Sequence, residues 1–175
     1  MIALQTARLT SRPVCTADAA ALFSAYASDR LVATYLTWRA HCVVAETEHY
    51  LAAMQALMAH DNRRVLALAE AGAPDKPIGV FDARFDQHRM EVGYVLGRAY
   101  WGRGLMTEAL SAAVAWARTT QRLHRLWAVC DVDNRASARV MEKSGLVFEG
   151  VLRRWAMHPN IADVPRDCAC YAATW

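Results

Sequence analysis

Two closely spaced glycines mark a place where the chain could bind an anion. Gly102 and Gly104 follow an apolar run and precede an alanine-rich amphipathic segment, an order that predicts strand, tight loop and helix N-terminus. Such a loop turns backbone N–H groups toward one point, and the helix end adds partial positive charge. The stretch from Val92 to Thr107 contains no Asp or Glu, but it contains Arg98 and Arg103. The segment predicts a phosphate or pyrophosphate site, and the alternative is an ordinary turn whose glycines serve only geometry.

Two familiar phosphate-binding motifs do not fit this loop. The P-loop requires Lys followed by Ser or Thr after its last glycine, and no Lys follows Gly102 or Gly104. The dinucleotide fingerprint requires a third glycine near the start of a strand–helix–strand unit, whereas these glycines lie past the middle of the chain. The pattern therefore disfavours an NTPase or a nicotinamide enzyme and favours another phosphate carrier.

A second candidate binding element follows the next apolar strand. The segment 134–145 predicts a short helix, with Asp133 or Asn134 as N-cap and Gly145 just beyond its end. Asn134 and Ser137 share one face at its start, and a positive strip follows at Arg139 and Lys143. The alternative is a capping asparagine with solvated cations.

These segments resemble the GNAT N-acetyltransferases, and within them the RimJ/RimL type of ribosomal-protein N-terminal acetyltransferases. The resemblance covers nearly the whole chain and is carried by residues 6–13, 35–39, 77–79, 91–96, 100–109, 134–145 and 149–150. It implies an α/β fold with a mixed, mostly antiparallel central sheet flanked by helices on both faces. It also implies that acetyl-CoA is the cofactor, that its pyrophosphate is the predicted anion, and that the acetyl group passes directly to a primary amine.

The resemblance also assigns cofactor-binding residues. The family's loop pattern, Gln/Arg-x-x-Gly-x-Gly/Ala, falls on residues 101–106, so Trp101 and Met106 depart from it. Backbone N–H groups do the binding in this loop, so CoA binding is still expected, and a backbone N–H near Leu96 is expected to polarise the acetyl carbonyl. The predicted CoA contacts are Val95, Leu96, Trp101, Gly102, Arg103, Gly104, Leu105, Met106, Thr107, Asn134, Ser137, Arg139 and Lys143.

Acetyl transfer requires a neutral amine, a polarised carbonyl and a proton for the leaving thiolate. Glu91 lies beside Gly93, which leaves it room to face a cleft, and the resemblance implies that Glu91 is the general base. A Glu in solvent or paired with an Arg is the alternative. Many members of the family have a Tyr that acts as general acid at the position of Met141. The RimJ/RimL resemblance therefore assigns the role of general acid to Ser137. The alternative for Ser137 is a hydroxyl bonded to the helix backbone.

Two features indicate which kind of amine accepts the acetyl group: the pKa of the amine, and the charge of the segment that would cover it. An α-amine has a pKa of about 7.7–8.0 and Lys of about 10.4, so a weakly placed base suits an α-amine better. Segment 29–60 holds only three acids, and its distinctive Trp38 and Arg39 are predicted substrate contacts. We expect a protein N-terminal α-amine as acceptor. A polyamine or aminoglycoside, and a non-catalytic acyl-CoA-binding regulatory module, are the alternatives.

Composition agrees with a single soluble domain over residues 1–175. The 175 residues are 55% hydrophobic, and no apolar run approaches the about 20 residues that span a bilayer. The start lacks a secretory signal pattern, and five scattered cysteines suggest free thiols in a reducing cytoplasm. No metal site is expected at Cys168 and Cys170, and no histidine is given a role. A net charge of +3 is too small to indicate nucleic acid, and monomer and homodimer both stay open.

The pattern of apolar residues, caps and turns predicts twelve elements in a βαααβββαβαββ order. The predicted strands are 4–13, 63–70, 77–84, 89–97, 124–130, 147–154 and 166–174. The predicted helices are 17–28, 30–36, 45–60, 105–119 and 134–143, and residues 70–77 are expected to connect two strands of a hairpin.

Overall fold

The computed structural model describes residues 2–59 and 62–175. The elements in these ranges are β1 (Leu9–Pro13), a 3-10 turn (Thr16–Asp18), α1 (Ala19–Leu22) continued by a π-helical turn (Phe23–Ala27), α2 (Arg30–Ala33), α3 (Val44–Met58), β2 (Arg63–Glu70), β3 (Pro77–Asp86), β4 (Arg89–Leu96), a 3-10 turn (Arg98–Tyr100), α4 (Leu105–Arg118), β5 (Arg125–Asp131), α5 (Arg135–Lys143), β6 (Val147–Ala156) and β7 (Arg166–Thr174). The end expected at His60 for the third helix lies outside the described residues.

The strands form one sheet in the order β1-β2-β3-β4-β5-β7-β6. Neighbouring strands are antiparallel except for β4 and β5, which are parallel and are joined through α4. The mixed, mostly antiparallel sheet is therefore confirmed, as is the hairpin between β2 and β3.

Two apolar cores lie on opposite faces of the sheet. α4 and α5 cover the main core, to which they contribute Ala109, Leu110, Ala113 and Met141. The segment containing α1–α3 covers a second core against β2 and β3, with Tyr26, Leu51 and Val80 among its buried members. Helices on both faces of the sheet are thus confirmed.

The parallel strands β4 and β5 stay together over only part of their length. Their register pairs are Arg89 with Arg125, Met90 with Leu126, and Glu91 with Trp127. Pairing ends at Glu91, although β4 continues to Leu96 and β5 to Asp131. We call the opening between residues 92–96 and 128–131 the cleft. Backbone groups of β4 that face it are free of the ladder and can bind a ligand.

The first predicted strand and helix differ from the structure for local reasons. The strand begins at Leu9 because the Thr6 N–H donates to the Leu9 carbonyl, and the Thr6 hydroxyl accepts from the Leu9 N–H. This turn interrupts the extended chain before β1. The predicted helix 17–28 ends in a π turn, in which the Ser28 N–H and hydroxyl both donate to the Phe23 carbonyl.

Candidate active site

The glycine loop joins β4 to the N-terminus of α4, as the sequence predicts. Gly102 and Gly104 have φ of +71° and +74°, a region that strongly favours glycine. Gly104 is the N-cap of α4, and the Glu108 N–H makes the first helical bond, to the Gly104 carbonyl. The preceding N–H groups of α4, those of Leu105, Met106 and Thr107, have no acceptor within the helix and can face an anion.

The side chains around this loop refine the predicted contacts. Leu105 and Met106 are buried in the main core, so only their backbones can contribute to binding. Arg103 pairs with Glu70 at 2.5 Å, and Arg98 pairs with Asp29 at 2.8 Å. The two cations that lie in an acid-free stretch of sequence therefore meet acids from distant segments. Because both arginines are paired, the backbone N–H groups at the start of α4 are the groups of this loop that stay available to an anion.

Arg8 braces the loop, and no sequence pattern assigned it a role. Its Nε donates to Glu108 Oε2 at 2.6 Å, and its Nη1 donates to the Arg103 carbonyl at 2.9 Å. Glu108 is in the first turn of α4, where a carboxylate is stabilised by the helix dipole. The bond to Arg103 ties the loop to the segment just before β1. Only the position of Arg8 in the resemblance at 6–13 pointed to this part of the chain.

The end of β4 presents backbone donors to the cleft. The Gly97 N–H donates to the Ile78 carbonyl, so Leu96 and its register partner Gly79 form a non-hydrogen-bonded pair. The Leu96 N–H consequently points away from β3, toward the cleft. The Leu96 carbonyl accepts from Trp101 Nε1 at 2.7 Å, which holds the Trp101 side chain against the strand end. Val95 instead packs its side chain on the second core.

Ser137 meets a partner that the sequence did not indicate. The Tyr94 hydroxyl lies 2.9 Å from Ser137 Oγ and 3.2 Å from the Ser137 carbonyl oxygen. Tyr94 packs against the main core from β4, and burial raises the pKa of its phenol. The contact joins β4 to α5 beside the cleft. The Ser137 hydroxyl is thus paired with a side chain, whereas the alternative prediction was a hydroxyl bonded to the helix backbone.

α5 has the predicted cap and face. The Asn134 side-chain oxygen accepts from the Ser137 N–H at 3.1 Å, and Gly145 follows the helix with φ of +88°. Arg139 and Lys143 are exposed, whereas Met141 is fully buried. Met141 therefore offers the main core an apolar side chain where many GNAT members carry a Tyr.

Glu91 lies on the other face of the sheet, in a network of charges. Its Oε1 is 3.2 Å from Arg84 Nη2, and Asp82 lies 3.5 Å from Arg84 Nε and 2.7 Å from Arg63. Burial raises the pKa of the Glu91 carboxyl, while the Arg84 guanidinium opposes the rise. The space beside Gly93 is occupied by Arg84, because a Cβ there would lie 3.2 Å from Nη2. Glu91 is thus an arginine-paired carboxylate, as in its stated alternative, and remains partly exposed.

Of the two predicted substrate contacts, Trp38 packs on the second core, on the Glu91 face of the sheet. The Trp38 ring packs on His41 and Tyr50, with centroids 4.6 and 5.6 Å away. Burial raises the pKa of Tyr50, and the negative charge of Asp82 adds to the rise. Arg39 is exposed, and its Nη1 donates to the Pro159 carbonyl at 2.8 Å. It therefore ties the segment before α3 to the β6–β7 connection.

One histidine has polar neighbours that its sequence position did not reveal. His158 is buried, and its Nε2 lies 3.8 Å from Asp131 and 3.8 Å from the Cys168 sulfur. Arg166 Nε donates to Asp131 at 2.5 Å, so this carboxylate is already neutralised. Asn160 next to this cluster donates to the carbonyls of Ala33 and Trp38. These contacts hold the β6–β7 connection against the segment that contains α2 and Trp38.

The residues around the cleft lie on two faces of the sheet. Tyr94 and Ser137 lie with the main core, and Glu91 lies with Arg84 and Trp127 on the opposite face, because alternate residues of a strand point to opposite faces. The cleft connects the two faces. The backbone N–H groups at the N-terminus of α4 suit a pyrophosphate. The β4 donors in the cleft suit an amide-rich arm, and the Ser137 hydroxyl suits a thioester.

Comparisons with known proteins agree with this geometry. A family model described as Acetyltransferase (GNAT) domain matches residues 8–147. The chain therefore belongs to the GNAT acetyltransferases. It is an N-acetyltransferase, and its cofactor is acetyl-CoA.

Individual relatives extend the match to most of the chain. The sequence is 29% identical over 174 residues to the Uncharacterized N-acetyltransferase YoaA of Bacillus subtilis (strain 168), covering 97% of this chain and 94% of that protein. It is 33% identical over 70 residues to the [Ribosomal protein uS5]-alanine N-acetyltransferase of Escherichia coli (strain K12), covering 40% of this chain and 36% of that protein. The fold also superposes on RimL, a ribosomal L7/L12 alpha-N-protein acetyltransferase solved in complex with coenzyme A. That match has a TM-score of 0.83 and 18% identity and covers 99% of this chain and 98% of the other.

The described residues show neither a metal-binding cluster nor a membrane-spanning helix. Across residues 2–59 and 62–175, no group of three or more His, Cys, Asp or Glu side chains is arranged to hold a metal ion. No helix in these ranges is long and apolar enough to cross a membrane.

Proposed function

We propose that this N-acetyltransferase acetylates the N-terminal α-amine of a protein or peptide. The observation that carries the proposal is the arginine-paired carboxylate of Glu91 beside the cleft. A carboxylate held this way is a modest base. It suits an amine that is already partly neutral near pH 7.5, as about a third of α-amines are, whereas only about one Lys side chain in a thousand is neutral there.

The charges on the acceptor side support one amine rather than a polycation. Asp29 pairs with Arg98, Asp82 pairs with Arg63, and Glu46 accepts backbone N–H groups. These carboxylates are already engaged within the protein. A polyamine or an aminoglycoside carries several ammonium groups and needs several free carboxylates in its site, because each desolvated cation requires a partner.

Acetyl-CoA, when bound, supplies an acetyl group activated as a thioester. The N–H groups of Leu105, Met106 and Thr107 would hold its pyrophosphate, and the Leu96 N–H would donate to the acetyl carbonyl. Glu91, through a water molecule, accepts the proton that the amine loses as the new carbon–nitrogen bond forms. Ser137 Oγ would supply the proton that the leaving sulfur takes, and solvent would return a proton to Oγ.

The relatives support an α-amine acceptor through what their names say of them. One acts on the alanine of ribosomal protein uS5, and the RimL structure is that of an alpha-N-protein acetyltransferase. A ribosomal protein is accordingly the first natural substrate class to screen. Trp38 and Arg39 are proposed to contact the first residues of the acceptor, because Trp38 packs on the core that covers the Glu91 face and Arg39 is its exposed neighbour in the chain.

A competition experiment tests the acceptor. A short peptide with a free α-amine, the same peptide N-blocked but carrying Lys, and spermidine are mixed with acetyl-CoA at neutral pH, and products are measured by mass spectrometry. The proposal predicts that the free-α-amine peptide is modified first. Preference for spermidine would replace it with the small-amine alternative, and preference for Lys would replace it with a side-chain acetyltransferase.

A further inference from the structure

The contact between Tyr94 and Ser137 is the feature that the proposed mechanism leaves unused. A serine hydroxyl has one hydrogen and rotates freely about its Cβ–O bond, so by itself it does not aim that hydrogen at any particular atom. In this protein the Tyr94 hydroxyl lies 2.9 Å from Ser137 Oγ. This distance is that of a hydrogen bond in which either oxygen can donate.

We propose that Tyr94 is a positioning residue, whose phenol donates to Ser137 Oγ and leaves the Ser137 hydrogen to point at the sulfur of CoA. This inference rests on the proposed role of Ser137. Met141 occupies the position at which many family members have a general-acid Tyr. In this chain Tyr94 on β4 supplies the phenol instead, and it acts through Ser137.

The surroundings decide the direction of this hydrogen bond in the loaded site. The Tyr94 ring is held on β4 by the main core, and burial raises the pKa of the phenol, so it keeps its hydrogen throughout the working range. If Ser137 donated to Tyr94, the phenol would turn to the Ser137 carbonyl at 3.2 Å, and the sulfur would lose its donor. Donation from Tyr94 to Oγ satisfies both hydroxyls when an acceptor such as sulfur enters the cleft.

The backbone around this pair makes the geometry rigid. The Ser137 N–H is tied to the Asn134 side chain at 3.1 Å, and Tyr94 pairs with Phe81 in the ladder between β3 and β4. The thiol of Cys130 lies beside the same pair, and burial raises its pKa to about 12, so it stays a neutral neighbour. The hydroxyl pair is therefore set between two fixed elements on the main-core side of the cleft.

A binding measurement tests Tyr94 independently of any acceptor. Calorimetry compares CoA with desulfo-CoA, which lacks the sulfur, on the wild type, Tyr94→Phe and Ser137→Ala. We expect the wild type to bind CoA about threefold to tenfold more tightly than desulfo-CoA, the size of one hydrogen bond, and both variants to lose this preference. Tyr171→Phe is the matched control, because it removes a phenol that bonds Glu142 of the same helix at 3.3 Å. It should keep the preference.

Turnover adds a second criterion. Tyr94→Phe should lower kcat about tenfold with little change in KM for acetyl-CoA, and the double variant with Ser137→Ala should be no slower than Ser137→Ala alone. A wild type without preference for CoA, a Tyr94→Phe variant that keeps it, or additive losses in the double variant would each overturn the proposal. If the preference behaves as expected but no α-amine is acetylated, the proposed acceptor is wrong and the role of Tyr94 stands.

Discussion

The Arg84 guanidinium lies 3.2 Å from the Glu91 carboxylate, and the two residues are register partners on β3 and β4. Their side chains share the sheet face opposite the main core. The pair keeps a partly buried carboxylate charged beside the cleft, because the cation opposes the effect of burial on the pKa of Glu91. To accept a proton from water, Glu91 needs to give up only part of its contact with Arg84.

Replacing Glu91 by Gln should lower turnover by about 100-fold near neutral pH, the usual effect of losing a general base, with little change in acetyl-CoA affinity. The loss should shrink between about pH 6.5 and about 9.5, because the amine then loses its proton without help. Initial rates across this range measure the effect. Glu149→Gln is the control, since it removes a carboxylate that pairs with Arg125 elsewhere on the sheet. A variant-to-wild-type ratio that does not change with pH would show that Glu91 is not the base.

Replacing Arg84 by Gln should move the acid limb of kcat/KM to higher pH. Arg84 lowers the pKa of Glu91, so its removal raises the pKa at which the base becomes protonated and inactive. Arg84→Lys keeps the charge and should shift the limb less. A limb that stays in place in Arg84→Gln, with Glu91 still required, would show that the cation does not tune the base.

Replacing Gly104 by Asp should weaken CoA binding by at least about tenfold, because it adds a negative charge where the N-terminus of α4 is proposed to meet a pyrophosphate. Gly145→Asp is a matched control. Both glycines have positive φ, +74° and +88°, and a Cβ at Gly145 would meet nothing within 4 Å. Calorimetry on folded protein gives the affinities. Equal affinity in the two variants would remove the loop from the CoA site.

Replacing Gly79 by Ala should destabilise the fold by about 1–3 kcal/mol, as overpacking of a close contact does. A Cβ at Gly79 would lie 2.3 Å from the Val95 carbonyl oxygen and would push β4 where it borders the cleft. Gly72→Ala is the control, because nothing lies within 4 Å of its Cβ position. Urea unfolding measures both free energies. Equal stabilities would mean that β3 and β4 tolerate the shift.

Local features of the fold and site were predictable from the sequence. β2 and β7 have the bounds expected from their apolar runs, and Gly102, Gly104 and Asn134 have the conformations and cap expected of them. Each depends on the residue's own chemistry and on near neighbours. The placement of residues 1–175 in one domain stays a prediction.

Contacts between distant segments were not predictable in this way. Tyr94 and Ser137 are 43 residues apart, and Arg8 and Glu108 are 100 apart. Such pairs depend on strand register and on how α4 and α5 pack against the sheet. The same reason explains why an acid-free loop acquires Glu70 as a partner for Arg103, and why Arg84 fills the space beside Gly93.

We propose that the enzyme acetylates an α-amine in the cleft, with Glu91 as the base. The most direct measurement uses one peptide that carries both a free N-terminal α-amine and an internal Lys, incubated with acetyl-CoA at neutral pH and sequenced by tandem mass spectrometry. We expect the first acetyl group on the N-terminal nitrogen, and we expect Glu91→Gln to slow its appearance without changing its position. An acetyl group found first on the Lys side chain would contradict the claim.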